Sequence, residues 1–259
     1  TPGPIGNTAP GTGAFTTLAA SGAVSGAGIT ARFATPGPIG NTSPSTGAFT
    51  TLAATTSFTS TTDATINGLT VGKGTNAVAS NTVLGVTALD AAVTGANNVA
   101  IGLDALTNST SGYNNVAMGS YSMQNCVGGH SNTAVGYAAL TGTALSATGN
   151  VAMGFQAAND ITSGASNVAI GYNAMYLNTT GTSNVCLGAS AGDAINTGSY
   201  NTLVGTGAGG AITTAAAGGN VMMGNSAGQA VTTGGRNVMI GSGYAHNVGK
   251  VATGNDNVF

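Results

Sequence analysis

Catalysis and metal binding need acids, bases, nucleophiles or ligands held close together, and this chain of 259 residues holds few such groups. Its carboxylates are six aspartates, Asp63, Asp90, Asp104, Asp160, Asp193 and Asp256, and it has no glutamate. The remaining candidates are His130, His246, Cys126 and Cys186. A hydrolase or lyase would need at least two of these around one bond. A metal would need ligands at a recognisable spacing. The histidines lie in variable stretches, and the cysteines are 60 residues apart at different places in the repeat described below. Neither a metal site nor a disulfide framework is expected from that pattern. Gly72-Lys73 suggests a phosphate loop, but Gly74 follows the lysine and Gly68 precedes Gly72 by four positions, so the G-x-x-x-x-G-K-[ST] spacing is not met. The expectation is no catalytic residue, no cofactor and no metal.

Composition narrows the partners. Only 4% of residues are charged, against about 25% in an ordinary soluble domain. The four cations, Arg32, Lys73, Arg236 and Lys250, form no patch, so no nucleic-acid partner is expected. No stretch approaches roughly 18 consecutive apolar residues, so no membrane insertion by a helix is expected. The N-terminus shows no charged segment followed by an apolar core, and residue 1 already sits inside a repeat. Glycine alone contributes 44 residues, a bias that often means disorder. Strict periodicity over 81–259 argues against disorder there, because disorder needs no register.

Whatever positions these groups must be the repeat. Nearly the same nine residues, as in Asn167-Val168-Ala169-Ile170-Gly171-Tyr172-Asn173-Ala174-Met175, recur about every 17 positions. Copies start at Asn81, Asn98, Asn115, Asn132, Asn150, Asn167, Asn184, Asn201, Asn220 and Asn237, and Asn257-Val258-Phe259 opens another. With the asparagine as position 0, position 1 is always Val or Thr and position 3 is always Leu, Ile, Met or Val. Side chains alternate along a strand, so positions 1 and 3 share a face, which is taken as the inside of the coil. Position 2 should then be polar, yet it is apolar throughout: Ala100, Ala117, Ala134, Ala152, Ala169 and Cys186 in the central copies. A strand apolar on both faces is buried on both faces. These six residues are therefore expected to face neighbouring copies of the chain.

Position 4 is glycine in every full copy, including Gly102, Gly119, Gly136, Gly154, Gly171 and Gly188, which suggests a corner with positive φ or close backbone approach. The asparagines, stacked coil on coil, are expected to form an amide ladder; Asn98, Asn115, Asn132, Asn150, Asn167 and Asn184 are its central members. A second glycine recurs three residues before the next asparagine, as in Gly95, Gly112, Gly129 and Gly164, and marks another corner. Position 8 is often Leu or Met early in the array but is Gly192, Gly209 and Gly228 later, which suggests that the array narrows or changes shape near Asn184. Asp90 and Asp193 share position 9, a place filled elsewhere by Thr, Gln, Asn, Tyr, Gly or His, so it reads as a solvated turn.

Upstream, residues 1–20 and 35–54 differ at only two places, a 34-residue internal repeat. All six prolines precede residue 45, and each copy runs from Pro-Gly turns into a Gly-Ala-Phe-Thr-Thr-Leu strand. With few large apolar residues per copy, residues 1–57 are expected to form an extended shaft that gains burial from identical chains. Residues 58–80 connect it to the array at 81–259, with Ile66 to Gly74 reading as a strand broken by glycines.

NTAVGYAAL (132–140) and NVAIGYNAM (167–175) resemble the head repeats of trimeric autotransporter adhesins of the YadA type. The stretches TPGPIGNTSPSTGAFTTLAAT (35–55) and INGLTVGKGTNAVASNTVLG (66–85) look like shaft sequences of bacteriophage tail fibres, in which YadA-like repeats also occur. The resemblance implies a left-handed parallel β-roll with three chains around one axis, although the family's repeat is often shorter than 17 residues. The expected fold is all-β: a homotrimeric parallel β-solenoid of about ten 17-residue coils, preceded by an intertwined fibre shaft. The expected role is a virion tail-fibre segment for host attachment. Its partners would be two further copies of itself, other tail or fibre proteins, and a host-surface glycan or protein.

Rival readings are a bacterial surface adhesin, an ice-binding solenoid and an enzyme. Ice binding needs a flat, regular threonine array, and no outward threonine column is expected to persist across the coils. Tyr137, Phe155 and Tyr172 occupy position 5 in three successive coils. Such a stripe either presents a receptor contact or simply stacks on itself, and self-stacking is the favoured reading because aromatic neighbours stabilise a sheet.

Overall fold

The computed structural model describes residues 63–74, 78–91, 93–142, 146–213 and 218–242. The expected shaft at 1–57 and the copy beginning at Asn257 lie outside the described residues. The described chain is all-β, with twelve short strands in one sheet taken in chain order. It opens with β1 (Ala64–Ile66) and β2 (Leu69–Gly72), paired antiparallel. The stretch read as one broken strand is thus a hairpin. Asn67 and Gly68, at φ 50° and 83°, form its turn. Asn-Gly is the pair such a turn favours, because both central residues need positive φ. The Asp63 carboxylate accepts the backbone N–H of Lys73 and of Gly74, each at 2.7 Å, and so ties off the hairpin.

β2 pairs antiparallel with β3 (Thr82–Gly85), and from there every pairing is parallel. The strands are β4 (Val99–Ile101), β5 (Val116–Met118), β6 (Thr133–Val135), β7 (Val151–Met153), β8 (Val168–Ile170), β9 (Val185–Leu187), β10 (Thr202–Val204), β11 (Val221–Met223) and β12 (Val238–Ile240). Repeat pairs with repeat in register: Ala100 opposes Ala117, and Ala169 opposes Cys186. The result is a parallel β-solenoid of about nine turns, β3 to β12, rather than ten. The return half of the last coil lies outside the described residues. Backbone bonds join coils along several edges: Val168 N–H donates to Asn184 C=O at 2.8 Å, Met175 to Ala191 at 2.9 Å, and Gly188 to Ile170 at 2.8 Å.

The strand faces are the reverse of the expectation. Ala100, Ala117, Ala134, Ala152, Ala169 and Cys186 have no accessible surface within a single chain, so they point into their own coil and cannot face a neighbouring copy. Positions 1 and 3 point outward: Val168 is half-buried and Ile170 is 39% exposed. The physical reason is space. The wall across the coil already projects residues at positions 7, 8 and 11 into the core, so the strand side has room for small residues in the early coils.

That core explains the glycines at position 8. In the second, third and sixth coils a small residue at position 2 faces a large one at position 8 and a polar or small one at position 11. The sets are Ala100, Leu106 and Ser109; Ala117, Met123 and Cys126; Ala169, Met175 and Asn178, all buried. From Asn184 onward the sizes exchange: Cys186, Gly192 and Ile195; Leu203, Gly209 and Ile212; Met222, Gly228 and Val231. A Cβ on Gly209 would lie 2.7 Å from Leu203 Cδ2, and one on Gly228 would lie 2.1 Å from Met222 Sδ. The expected change near Asn184 is thus one of filling, which moves across the core.

The backbone at position 8 is left-handed in both halves, φ 54° at Leu106 and Met175 and 61° at Gly209. A bulky residue in that conformation costs on the order of 1–2 kcal/mol, which burying a Leu or Met side chain offsets.

Candidate functional site

Each position-0 asparagine from Asn81 to Asn237 is buried, and from Asn98 onward its backbone N–H donates to Oδ1 of the asparagine one coil before. Asn167 shows the pattern. Its backbone N–H donates to Asn150 Oδ1 at 2.9 Å, and its Nδ2 donates to Asn150 Oδ1 at 3.0 Å and to Gly181 C=O at 2.8 Å. Its Oδ1 accepts the backbone N–H and the Nδ2 of Asn184, both at 3.0 Å. The expected amide ladder is present, running from Asn81 to Asn237. It also links the two corners, because Nδ2 crosses to the second-corner glycine of the same coil, as from Asn98 to Gly112 at 2.9 Å. The position-4 glycines Gly102, Gly119, Gly136, Gly154, Gly171 and Gly188 have φ between 125° and 139°. A Cβ on Gly171 would sit 2.4 Å from Gly188 O, so both expected causes, positive φ and close approach, act together.

Outside the coil, positions 1 and 3 form an outward surface on ten rungs, apolar except for Thr82, Thr133 and Thr202. At the spacing of paired strands it runs for about 43 Å. Met118, Met153, Ile170 and Met223 all lie on it and are exposed. Exposed apolar area this contiguous marks a place where another surface packs.

The position-5 aromatics come together as a stack. Tyr137 and Phe155 lie 5.2 Å apart at 9° between planes, and Phe155 and Tyr172 lie 5.3 Å apart at 8°. Tyr121, which the sequence reading missed, joins edge-on to Tyr137 at 5.5 Å. It sits at position 6 rather than 5, and its positive φ of 62° lets it reach the same side. Tyr113 and His130, one coil apart, also stack, at 4.5 Å. Threonine does recur at one outward place, at Thr110, Thr162, Thr179, Thr213 and Thr232, interrupted by Val127 and Asn196. Thr110 and Thr162 turn their hydroxyls onto the next coil's carbonyls, at 3.1 and 3.0 Å.

Among the described residues no three His, Cys or Asp gather where a metal could sit. Cys126 and Cys186 are buried free thiols. Burial pushes the Cys126 thiol up to about 11, and burial with the nearby Asp193 carboxylate raises that of Cys186 further. Both are held as unreactive thiols at neutral pH.

Burial also raises the carboxyls of Asp160 and Asp193; at Asp193 backbone N–H groups and the Ser190 hydroxyl pull the other way. A raised folded pKa means that the folded state binds protons more readily. Stability from this source is present below the ordinary value of 3.8 and is lost as pH rises through the folded value. With so few carboxylates, the chain should keep its melting temperature on acidification from pH 7 to 4. Asp160→Asn and Asp193→Asn should each flatten what pH dependence there is, as thermal melts over that range would show; a steep loss of stability toward pH 4 would contradict this.

Among the described residues no helix is long and apolar enough to cross a membrane. No family model, curated protein or solved structure matches the chain.

Proposed function

We propose that this chain is a segment of a homotrimeric tail fibre, whose role is mechanical reach and display for attachment of a phage to its host. The observation that carries this reading is the outward apolar surface of positions 1 and 3. A single chain leaves Val168, Ile170 and their counterparts on ten rungs facing water. Identical chains with the same repeat length can meet rung against rung, so the contact grows with every coil added. Self-association is thus proposed through a different set of residues. Position 2 fills the coil, and positions 1 and 3 meet the neighbour. The number three comes from the resemblance of NVAIGYNAM to trimeric adhesin heads, as does the tail-fibre assignment. Residues 1–57 would continue the assembly as an intertwined shaft. Tyr137, Phe155 and Tyr172 remain available as a receptor contact.

Light scattering on the purified chain should give three times the 24.5 kDa mass. Val168→Asp combined with Ile170→Asp should weaken the assembly, since two charges per chain would enter a desolvated contact. A stable soluble monomer of the unaltered chain would overturn the proposal.

A further inference from the structure

Positions 9 and 10 lie on the wall across the core from the strands. Along this wall Tyr176 and Leu177 of the sixth coil, Asp193 and Ala194 of the seventh and Gly210 of the eighth follow one another. With Asn173 they line a cleft of about 180 Å³. It exists because the column at position 9 shrinks from tyrosine to aspartate to glycine. A Cβ on Gly210 would lie 3.1 Å from Asp193 Oδ1, so glycine keeps that side of the carboxylate clear. Leu177 is exposed, while Tyr176, Asp193 and Asn173 are half-buried. Asn173 Oδ1 is buried without a hydrogen-bond partner, as are Ser109 Oγ and Gln229 Oε1 among the described residues, and of these Asn173 alone borders the cleft.

We propose that this cleft is a subsite for one neutral hexose-type sugar ring, packed on Tyr176 and Leu177 and donating its hydroxyls to Asp193 and, once the buried amide turns outward, to Asn173. The chemistry matches on each side. An aromatic face takes the C–H face of a pyranose, and a carboxylate beside an amide takes adjacent hydroxyls. Burial holds the Asp193 carboxyl above its usual range, so hydroxyl donors would restore solvation that it has lost. The volume falls below the roughly 300 Å³ at which pockets accept drug-sized molecules, which limits the occupant to a single ring. No cation lines the cleft, and Asp193 disfavours anionic sugars such as sialic acid.

The biological meaning of this subsite, as one sugar contact per chain on a displayed fibre, rests on the function proposed above. The cleft lies opposite the strand wall, so an assembly packed through positions 1 and 3 leaves it open. Binding itself is testable without that reading. Saturation-transfer NMR on the full chain with glucose, galactose, mannose, N-acetylglucosamine and N-acetylneuraminic acid should show transfer to at least one neutral sugar and none to the last.

Tyr176→Ala should weaken the bound sugar about tenfold. Gly210→Val should fill the cleft and abolish transfer, with circular dichroism and mass unchanged, and Tyr113→Ala should leave binding as it was. No transfer to any neutral sugar, or transfer that survives both cleft variants, overturns the subsite. A sugar-binding monomer would overturn the trimer alone, and a trimer that binds no sugar would overturn the subsite alone.

Discussion

Gly171→Ala is expected to break the solenoid at its centre. The residue holds φ at 139°, where an L side chain is strained. The added Cβ would lie 2.4 Å from Gly188 O, 2.5 Å from Gly188 C and 3.0 Å from Ala189 N. All three are backbone atoms of the next coil, so no side chain can swing aside. The coil spacing would have to open locally, and that spacing is held by 2.8 Å bonds from Gly171 N–H to Met153 and from Gly188 N–H to Ile170. Strain and overpacking together should cost roughly 4 kcal/mol.

Stability in a stacked repeat accrues between neighbours, so the loss should be local before it is global. Hydrogen exchange should show the amides of the fifth to seventh coils opening first, with a lowered thermal midpoint. Gly149→Ala provides the comparison: φ there is 68°, and the nearest atom to a new Cβ is Ser166 Oγ at 3.9 Å. It carries the conformational strain without the clash and should cost only about 1 kcal/mol. Equal losses for the two variants would show that close approach is not what position 4 enforces.

Asn167→Ala should have the second-largest effect. The side chain donates to Asn150 Oδ1 and Gly181 C=O and accepts two bonds from Asn184, all in the buried interior. Alanine would strand the Asn184 backbone N–H and leave its Nδ2 with the Gly198 carbonyl alone. Leaving such groups unmet should cost roughly 3 kcal/mol. Asn167→Asp separates the two halves of the interaction. It keeps an acceptor for Asn184 but presents a carboxylate to Asn150 Oδ1 at neutral pH. That variant should be less stable at pH 7 than at pH 4, where a protonated carboxyl can donate. Asn150→Ala with Asn167→Ala should cost less than the sum of the singles, because neighbours in one ladder couple. Additive losses would mean that the asparagines act separately.

Much of this was legible without coordinates. The 17-residue spacing locates the strands, and the unvarying Asn and Gly at positions 0 and 4 announce a ladder and a corner. Such positions are readable because each is imposed by one local rule repeated in every coil: an amide that must find its counterpart, and a backbone that must approach closely. The acids were also readable as scattered, since they fall in different coils. Asn67-Gly68 is also a hairpin signal carried by the sequence.

The orientation of the strand was not legible. Period-two alternation says that positions 1 and 3 share a face and position 2 the other, and it is silent on which face is inside. The larger residues at 1 and 3 suggested the core, but the core was filled from across the coil. Nor does spacing reveal that Leu106 and Met175 adopt positive φ, since bulky residues seldom do. The exchange of Ala169 with Met175 for Leu203 with Gly209 becomes meaningful only once positions 2 and 8 are known to meet. Tyr121 joins the aromatic stack for a similar reason: a left-handed backbone at position 6 brings it around the corner. The cleft at Asp193 is defined by its neighbours Tyr176 and Gly210, which lie 17 residues away on either side.

The repeat, the strand in each copy, the glycine corner and the asparagine ladder can be read from residue order, because each follows from what one residue requires of its own coil and the next. What fills the coil, which apolar face is left for a neighbour and where the wall opens into a cleft came from the fold. Those depend on which side chains meet across the core and along the stack, and volume at a contact belongs to pairs of residues rather than to any one of them.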